Sequence, residues 1–171
     1  GRLSEEKNFD LLIDVFTRLA PRHPDWDLVI LGEGPERAAL EGKVGIAGLR
    51  RRVFLPGRVG NMGRWYERAD LYVMTSRFEG FPNTLVEAMS YGLPAVSFDC
   101  DTGPRDIIRP GIDGLLIRPG DLAALEAALG SLMTGTSERQ AFARAALCTR
   151  ERFSVERISS MWEQLFGQCA S

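Results

Sequence analysis

Apolar and polar positions follow two different periods along the chain, and these separate predicted helices from predicted strands. In the first stretch, apolar residues at intervals of three and four predict an amphipathic helix that ends before Pro21. Residues 27–31 then form a compact apolar run leading into a glycine-rich turn, which is typical of a buried strand. A second helix is expected to follow to about Ala47, with Pro35 in its first turn. The positions of the first helix are Phe9, Leu12, Ile13, Phe16 and Leu19.

The same order of strand and helix repeats through the middle of the chain. Such repetition predicts an α/β fold in which a parallel sheet is covered by helices on both faces. Ligands of these sheets bind beyond the carboxyl ends of the strands, so the loops that follow strands are where a site is expected. The predicted elements are strands at 53–55, 71–75, 95–98 and 115–117 and helices at 62–68 and 84–91.

The last part of the chain is predicted to be helical. Asp121 is placed to cap a helix of Leu and Ala residues. Ser137 and Gln140 form the capping-box pattern of a further helix, which is expected to reach about Arg150. Ser154 is expected to cap the final helix.

Composition is that of a single globular domain spanning residues 1–171. Of the 171 residues, 44% are hydrophobic and 26% are charged, which is enough for one well-buried core. Because the chain opens on Gly1 rather than Met, we expect it to be a fragment of a longer protein. The net charge of −2 argues against the broad basic surface of a nucleic-acid binder. The apolar runs are far shorter than the roughly 20 residues that a membrane-spanning helix needs.

The three cysteines carry information about the compartment. Cys100, Cys148 and Cys169 have no metal-ligand spacing, and three cysteines cannot all pair within one chain. This favours a reducing compartment, and we expect the protein to be cytoplasmic.

The segment from Ser76 to Met89 holds the strongest candidate site. It lies between a predicted strand and a predicted helix and contains two carboxylates, Glu79 and Glu87, separated by seven residues. A helix N-terminus presents unpaired N–H groups and a partial positive charge, which suit a phosphate. Gly80 lets the backbone approach a ligand closely. An ionised Glu87 could accept hydrogen bonds from both hydroxyls of a ribose.

A purely structural interpretation of Glu87 stays open at this point. Thr84 to Glu87 is also a capping-box pattern, in which the Glu87 side chain would only reach back to the Thr84 N–H. That interpretation leaves the segment Glu79 to Pro82 unexplained.

The stretch from Glu79 to Glu87 resembles the donor-site motif of retaining glycosyltransferases of the GT-B fold, the family 4 type. In that motif two glutamates are separated by seven residues and Gly-Phe-Pro follows the first. The resemblance implies a Rossmann-like domain, the C-terminal one of two, with the N-terminal acceptor-binding domain missing from this chain. Further matching segments extend it over nearly the full chain, at 1–8, 32–35, 69–73, 88–94 and 111–114.

The resemblance also implies roles for individual residues. Arg2 and Lys7 would hold the diphosphate and neutralise the leaving group, while Glu87 would bind the ribose and Glu79 the transferred sugar. No metal ion is needed for this chemistry, because cations and helix-end N–H groups stabilise the developing charge. The backbone along sugar and phosphate would come from Gly80, Phe81, Pro82, Asn83 and Thr84.

Two further loops are expected near the nucleoside by the same resemblance. Gly32 and Gly34 lie in the turn after the first strand, and Arg58 and Val59 follow the next strand, where backbone groups would meet the base. A plain tight turn is the less favoured alternative for each loop.

The implied activity is retaining transfer of a hexose from a nucleoside-diphosphate sugar, with UDP as the expected nucleotide, to a glycan or lipid-linked acceptor. Contact with the inner face of the cytoplasmic membrane would belong to the missing domain, and the isolated chain is expected to be inactive. The turn at 102–104 resembles that of enzymes with galactose or N-acetylgalactosamine donors.

Two alternative functions stay open at this point. The chain could be a non-catalytic module that holds a nucleotide and transfers nothing. A nicotinamide-dependent oxidoreductase is disfavoured, because Arg37 stands where the dinucleotide fingerprint needs Gly and no acidic residue ends the strand at 53–55.

Overall fold

The computed structural model describes residues 1–169, with side chains described to residue 167. The side chain of Cys169 therefore lies outside the described residues, while Cys100 and Cys148 are free thiols. In chain order the elements are a 3-10 turn at Glu5–Lys7, then α1 (Phe9–Leu19), β1 (Leu28–Leu31), α2 (Arg37–Ile46), β2 (Val53–Gly57), α3 (Met62–Tyr66), β3 (Tyr72–Met74), α4 (Asn83–Ser90), β4 (Ala95–Phe98), α5 (Pro104–Ile107), β5 (Gly114–Ile117), α6 (Leu122–Thr134), α7 (Thr136–Ala146), α8 (Thr149–Arg152) and α9 (Val155–Cys169).

All strand pairs are parallel, as predicted. β1 pairs with β2, with Leu28 opposite Val53. β4 lies between β3 and β5, and its residue Ala95 stands opposite Tyr72 on one side and Gly114 on the other. The strands form two groups, because no pairing joins β1 to β3 within residues 1–169.

Strand β4 shows that helices cover both faces of the sheet. All four of its residues are buried. Val96 and Phe98 pack into the larger core cluster together with residues of α1 and α6, whereas Ala95 packs into a second cluster with residues of α4 and α5. Neighbouring residues of a strand point to opposite faces, so the prediction of a sheet covered on both sides is confirmed.

Helix α1 has the predicted apolar face. It packs against α2 and α6, and Phe9 lies partly buried against the same core cluster. The other predicted core positions of this helix are all buried, namely Leu12, Ile13, Phe16 and Leu19.

The predicted helix caps had mixed outcomes. Asp121 caps α6 by accepting a hydrogen bond from the Ala124 N–H at 2.9 Å, and Ser154 accepts one from the Arg157 N–H at 3.2 Å. The capping box at Ser137 was wrong, because α7 begins at Thr136 and Ser137 is already inside the helix.

Several other bounds also differ from the prediction, and α7 ends at Ala146 rather than near Arg150. α2 begins at Arg37, so Pro35 lies in the preceding turn rather than in the first helical turn. The short helix α5 was not predicted, because its four residues are too few to show a period. No helix in the described range 1–169 is long and apolar enough to cross a membrane.

Candidate functional site

The candidate site forms where the N-terminal segment crosses the carboxyl edge of the strands. The Leu3 N–H donates to the Glu33 carbonyl at 2.9 Å, and the Glu36 N–H donates to the Leu3 carbonyl at 3.0 Å. A Cβ at Gly34 would overlap the backbone of Leu3, and a Cβ at Gly32 would overlap that of Gly1. These two glycines therefore let the segment lie directly on the turn that follows β1.

The 3-10 turn at Glu5–Lys7 is fastened to the loop that follows β3. The Arg77 N–H donates to the Glu6 carbonyl at 2.8 Å, and the Thr75 hydroxyl donates to the Lys7 carbonyl at 2.8 Å. Asn8 adopts a left-handed conformation, with φ of 51°, and its side-chain amide donates to the Thr75 carbonyl at 2.9 Å. Short polar residues such as Asn tolerate this conformation, which turns the chain from the 3-10 turn into α1.

The carboxylate of Glu79 receives two side-chain donors on the same oxygen. Lys7 Nζ and Ser76 Oγ each lie 2.6 Å from Glu79 Oε1. The Lys7 and Glu79 side chains are only 23% and 16% exposed, so the ion pair is largely shielded from solvent. Among the described residues no hydrogen bond reaches Glu79 Oε2, which leaves that oxygen available as an acceptor.

The loop after β4 packs against the loop that carries Glu79. The Thr102 hydroxyl donates to the Glu79 backbone carbonyl, and Thr102 itself has a φ of 63°. Gly103 has a φ of 98°, and a Cβ there would overlap Pro82 Cδ. Phe78 also forms a parallel bridge with Asp101, so the two loops are held as one unit.

Glu87 does not cap helix α4. The helix begins at Asn83, with Pro82 preceding it and no side-chain cap, so Glu87 is its fifth residue. The Glu87 side chain instead accepts a hydrogen bond at Oε2 from the Tyr66 hydroxyl of α3 at 3.1 Å. The capping-box interpretation is therefore wrong, and the carboxylate is exposed beside the start of the helix.

Tyrosines surround Glu87 and the first turn of α4. The Tyr66 and Tyr91 rings lie 5.5 Å apart, and the Tyr72 hydroxyl lies 2.8 Å from Thr84 Oγ1. Burial raises the pKa of Tyr72 to about 12, and burial, with nearby Tyr72 and Glu87, also raises the pKa of Tyr66. Tyr66 is therefore a protonated donor to Glu87 at neutral pH.

The hydrogen-bonding roles of three residues of the site could not be recognised from the sequence. Tyr66 looks like an ordinary helix residue, while Ser76 and Thr102 lie in segments that were singled out without a role for either side chain. Their roles depend on hydrogen bonds to Glu87 and Glu79 from other segments, and only the fold brings these together.

The two loops expected near the nucleoside lie side by side. The Gly32 N–H donates to the Gly57 carbonyl at 2.9 Å. Arg58, which follows Gly57, is exposed, and Val59 is partly exposed. Arg2 is also exposed, and neither arginine makes an ion pair within the described part of the chain. Their contacts with a nucleotide remain predictions.

Arg37 is the first residue of α2, where the pyrophosphate of a bound dinucleotide would have to lie. Its guanidinium donates to Glu33 Oε1 and to the Leu55 carbonyl, both at 2.7 Å. A pyrophosphate at the start of α2 would therefore meet both the arginine side chain and the Glu33 carboxylate. This packing disfavours a nicotinamide site in addition to the missing glycine.

Metal-binding side chains do not cluster in the described structure. Within residues 1–169, no group of three or more His, Cys, Asp or Glu side chains could hold a metal ion.

Residues 1–147 match the sequence family described as glycosyl transferases group 1. The chain is 37% identical over 171 residues to an exopolysaccharide phosphotransferase of Streptomyces coelicolor, covering 99% of this chain and 18% of that protein. It is 33% identical over 167 residues to the amylovoran biosynthesis glycosyltransferase AmsD of Erwinia amylovora, covering 98% of this chain and 46% of that protein.

A solved structure extends the likeness to the fold. A crystal structure of a mutant of S. aureus TarM, in complex with fondaparinux, alpha-GlcNAc-glycerol and UDP, superposes with a TM-score of 0.91. The two sequences are 29% identical, and the match covers 97% of this chain and 34% of that one. The chain thus spans less than half of the length of each of these proteins.

Proposed function

The chain belongs to the group 1 glycosyl transferases, and from this membership we propose that it binds a UDP-linked sugar for retaining hexosyl transfer to a glycan or lipid-linked acceptor. One observation carries the proposal. Glu79 lies in the loop that leads into α4, and Glu87 is the fifth residue of that helix. Each carboxylate is oriented by a protein donor while keeping a second oxygen for a ligand.

In the proposed complex, the negative charge of the departing diphosphate is stabilised without a metal ion. Lys7 is fixed at the site by the 3-10 turn, and Arg2 lies five residues before it on the same N-terminal segment. The N-terminus of α4 adds N–H groups and the positive end of the helix dipole. The backbone from Gly80 to Thr84 follows the sugar and the phosphates.

Glu79 binds hydroxyls of the transferred sugar in this proposal, and Glu87 binds the ribose. An ionised carboxylate oxygen is a strong acceptor for a hydroxyl. The turn at 32–34 and the loop at 57–59 lie beside the base. The turn at 102–104, which is bonded to the Glu79 carbonyl, contacts the sugar and favours galactose or N-acetylgalactosamine.

The complete protein would add an N-terminal domain that binds the acceptor. The longer relatives support this, since the chain spans 18% and 46% of the two curated proteins described above. Such a protein would work in the cytoplasm, at the inner face of the membrane if the acceptor is lipid-linked. We expect residues 1–171 alone to bind the donor and to transfer nothing, because the acceptor site is elsewhere.

Calorimetric titration tests the donor assignment. UDP and UDP-sugars should bind, and GDP-sugars and ADP-sugars should bind more weakly. Glu79→Ala should reduce the affinity for a UDP-sugar and leave that for UDP nearly unchanged, with Glu156→Ala on α9 as the control. No binding of any of these ligands at millimolar concentration would refute the proposal.

A second candidate is transfer of a sugar phosphate, because one relative is named an exopolysaccharide phosphotransferase. Hexosyl transfer breaks the bond between the sugar and the diphosphate and releases UDP. Sugar-phosphate transfer breaks the phosphoanhydride P–O bond at the sugar-side phosphorus, joins that phosphorus to a hydroxyl oxygen of the acceptor and releases UMP. Identifying the released nucleotide with the complete protein and its acceptor therefore separates the two reactions.

A further inference from the structure

The junction between α8 and α9 touches both loops at the sugar end of the proposed donor site. It consists of Arg152, the last residue of α8, and Phe153, which follows it. One of the two loops is 78–82, which carries Glu79. The other is the turn at 102–104, which leads into α5.

Phe153 supports the Glu79 loop through Phe81. The two rings lie 5.7 Å apart and are tilted by 57°, which is typical of an attractive aromatic pair. Phe153 also packs against the core cluster that contains Leu85 and Met89 of α4. Phe81 is 51% exposed, so its contact with Phe153 ties a ring at the surface to the core.

Gly80 is the flexible point of this loop. A Cβ at Gly80 would meet no atom of the described residues within 4 Å. Glycine loses more conformational freedom on folding than any other residue, so the peptides on either side need contacts that hold them. Thr102 supplies one by donating to the Glu79 carbonyl, and Phe153 supplies the other by contacting Phe81.

Arg152 supports the second loop through α5. Its guanidinium donates to the Ile107 carbonyl at 2.7 Å and to the Asp106 carbonyl at 3.1 Å. These are the last two residues of α5, and carbonyls at the end of a helix have no partner within it. Gly103 precedes the same helix and lies against Pro82 of the Glu79 loop. Arg152 therefore fixes the element that places this turn.

Arg152 is itself oriented by two further groups. Its Cζ lies 5.2 Å from the centre of the Phe153 ring, and its Nη1 lies 3.8 Å from Asp113 Oδ2. Asp113 is fully buried, and Arg109 Nε lies 2.6 Å from the same oxygen. Because a buried carboxylate needs such partners, Asp113 is an anchor for the guanidinium. Arg152 thus joins Phe153, a buried anion and α5.

We propose that Arg152 and Phe153 are positioning residues for the sugar end of the donor site. Phe153 holds the Glu79 loop through Phe81, and Arg152 holds the turn at 102–104 through α5. Together they set the distance between the two loops that face the transferred sugar. The inference rests on the proposed function and adds two residues that act without touching the ligand.

The location of these contacts determines which part of the ligand is affected. The loops held by the junction carry Glu79 and Thr102, whereas the Glu87 carboxylate is held by Tyr66 of α3. Loss of a junction side chain should therefore weaken the binding of a UDP-sugar more than that of UDP. A purely structural role would lower the free energy of unfolding and change both affinities equally or not at all.

Calorimetry with UDP, UDP-galactose and UDP-N-acetylgalactosamine tests the role of Phe153. Phe153→Leu keeps an apolar side chain but removes the ring, and it should lower UDP-sugar affinity by about three- to tenfold, the size expected for an aromatic pair. The affinity for UDP should not change. Phe153→Tyr keeps the ring and should bind like wild type. Phe142→Leu is the matched control, because Phe142 packs in the larger core cluster instead.

Arg152→Lys tests the second contact. Lysine keeps the positive charge near Asp113 but lacks the planar fork that donates to two carbonyls at once. UDP-sugar affinity should fall again, with UDP affinity unchanged. Arg150→Lys is the matched control, because Arg150 lies on the same helix and donates to the Ser90 carbonyl at the C-terminal end of α4.

Backbone ¹⁵N relaxation of the ligand-free protein tests the hold on the loop without a ligand. The Gly80 and Phe81 amides should have order parameters of about 0.85, as in rigid backbone, and should fall to about 0.6 in Phe153→Leu. Unchanged order parameters, or equal losses of UDP and UDP-sugar affinity, would overturn the proposal. If wild type binds neither UDP nor a UDP-sugar, the proposed function fails, and the relaxation data decide whether the junction holds the loop.

Discussion

The carboxylates of Glu79 and Glu87 are held in the same way, each by hydrogen bonding at one of its two oxygens. In each carboxylate a hydroxyl of the protein fixes one oxygen, from Ser76 in the first case and from Tyr66 in the second. The other oxygen receives no hydrogen bond from the described residues. A carboxylate held in this way loses little conformational entropy when it binds a ligand hydroxyl, so its free oxygen is already oriented for binding.

Removing the Glu87 carboxylate should weaken nucleotide binding. We expect Glu87→Ala to cost about 1.5–3 kcal/mol in UDP affinity, the usual size for hydrogen bonds to a charged group. Calorimetry with UDP measures this, and Glu67→Ala at the end of α3 is a control that also removes an exposed carboxylate. Unchanged UDP affinity in a folded Glu87→Ala variant would contradict the ribose assignment.

Ser76 is expected to act as a positioning residue for Glu79. Ser76→Ala removes one of two donors to Oε1 and leaves the Lys7 ion pair, so Glu79 keeps its charge but gains freedom of rotation. The affinity for a UDP-sugar should fall by about 1 kcal/mol, and that for UDP should stay unchanged. Ser131→Ala on α6 is the matched control. Equal losses for both ligands would show that Ser76 acts on the nucleotide or on the fold.

At the level of elements, the boundaries of helices decided which sequence-based predictions held. The capping patterns at Thr84 and Ser137 both failed because each helix begins at the residue before the presumed cap, which places that residue inside the first turn. The cap at Asp121 held, because its side chain is the acceptor that α6 needs. Short-range patterns therefore located the helices, and tertiary contacts set their first residues.

The turn after β4 is expected to hold the Glu79 loop in place. Gly103→Ala places a Cβ against Pro82 at a φ of 98° and should destabilise the domain by about 1–3 kcal/mol while weakening UDP-sugar binding. Gly111→Ala is a matched control, because Gly111 has a φ of 75° but open space around its Cβ. Urea unfolding of both variants separates backbone strain from the clash with Pro82. Equal stability of the two variants would show that the Pro82 contact contributes nothing.

At the level of the whole molecule, the buried tyrosines predict a loss of stability in alkali. The pKa of Tyr72 is raised by burial from 10.0 to about 12. The folded state therefore holds this proton more tightly than the unfolded chain, and the resulting stability is present below pH 10 and lost as the pH rises to about 12.

Urea unfolding at pH 9 and pH 11 measures this effect. Tyr72→Phe should flatten the decline between the two values, by on the order of 1–2 kcal/mol. Tyr91→Phe serves as the control, since Tyr91 is 44% exposed. An identical decline in wild type and Tyr72→Phe would assign the alkaline loss to other groups.

The class of the fold followed from the sequence, while the site followed only in part. The period of apolar residues in α1 and the run in β4 are local, and the structure confirms both. The positions of Glu79 and Glu87 around α4 were also visible in the chain. The hydroxyls that orient them come from segments up to 21 residues away, and nothing local marks Tyr66 as the partner of Glu87.

The Lys7–Glu79 ion pair joins residues that are 72 positions apart in the sequence. Bringing them together closes a long loop. The conformational entropy lost in that closure is offset only after the intervening strands and helices have formed. Refolding chains should therefore regain helical circular dichroism before they regain affinity for nucleotide. The interval between the two signals measures how late Lys7 meets Glu79. A mutation that slows the pairing of β1 with β2 should lengthen that interval without altering any residue that touches the ligand.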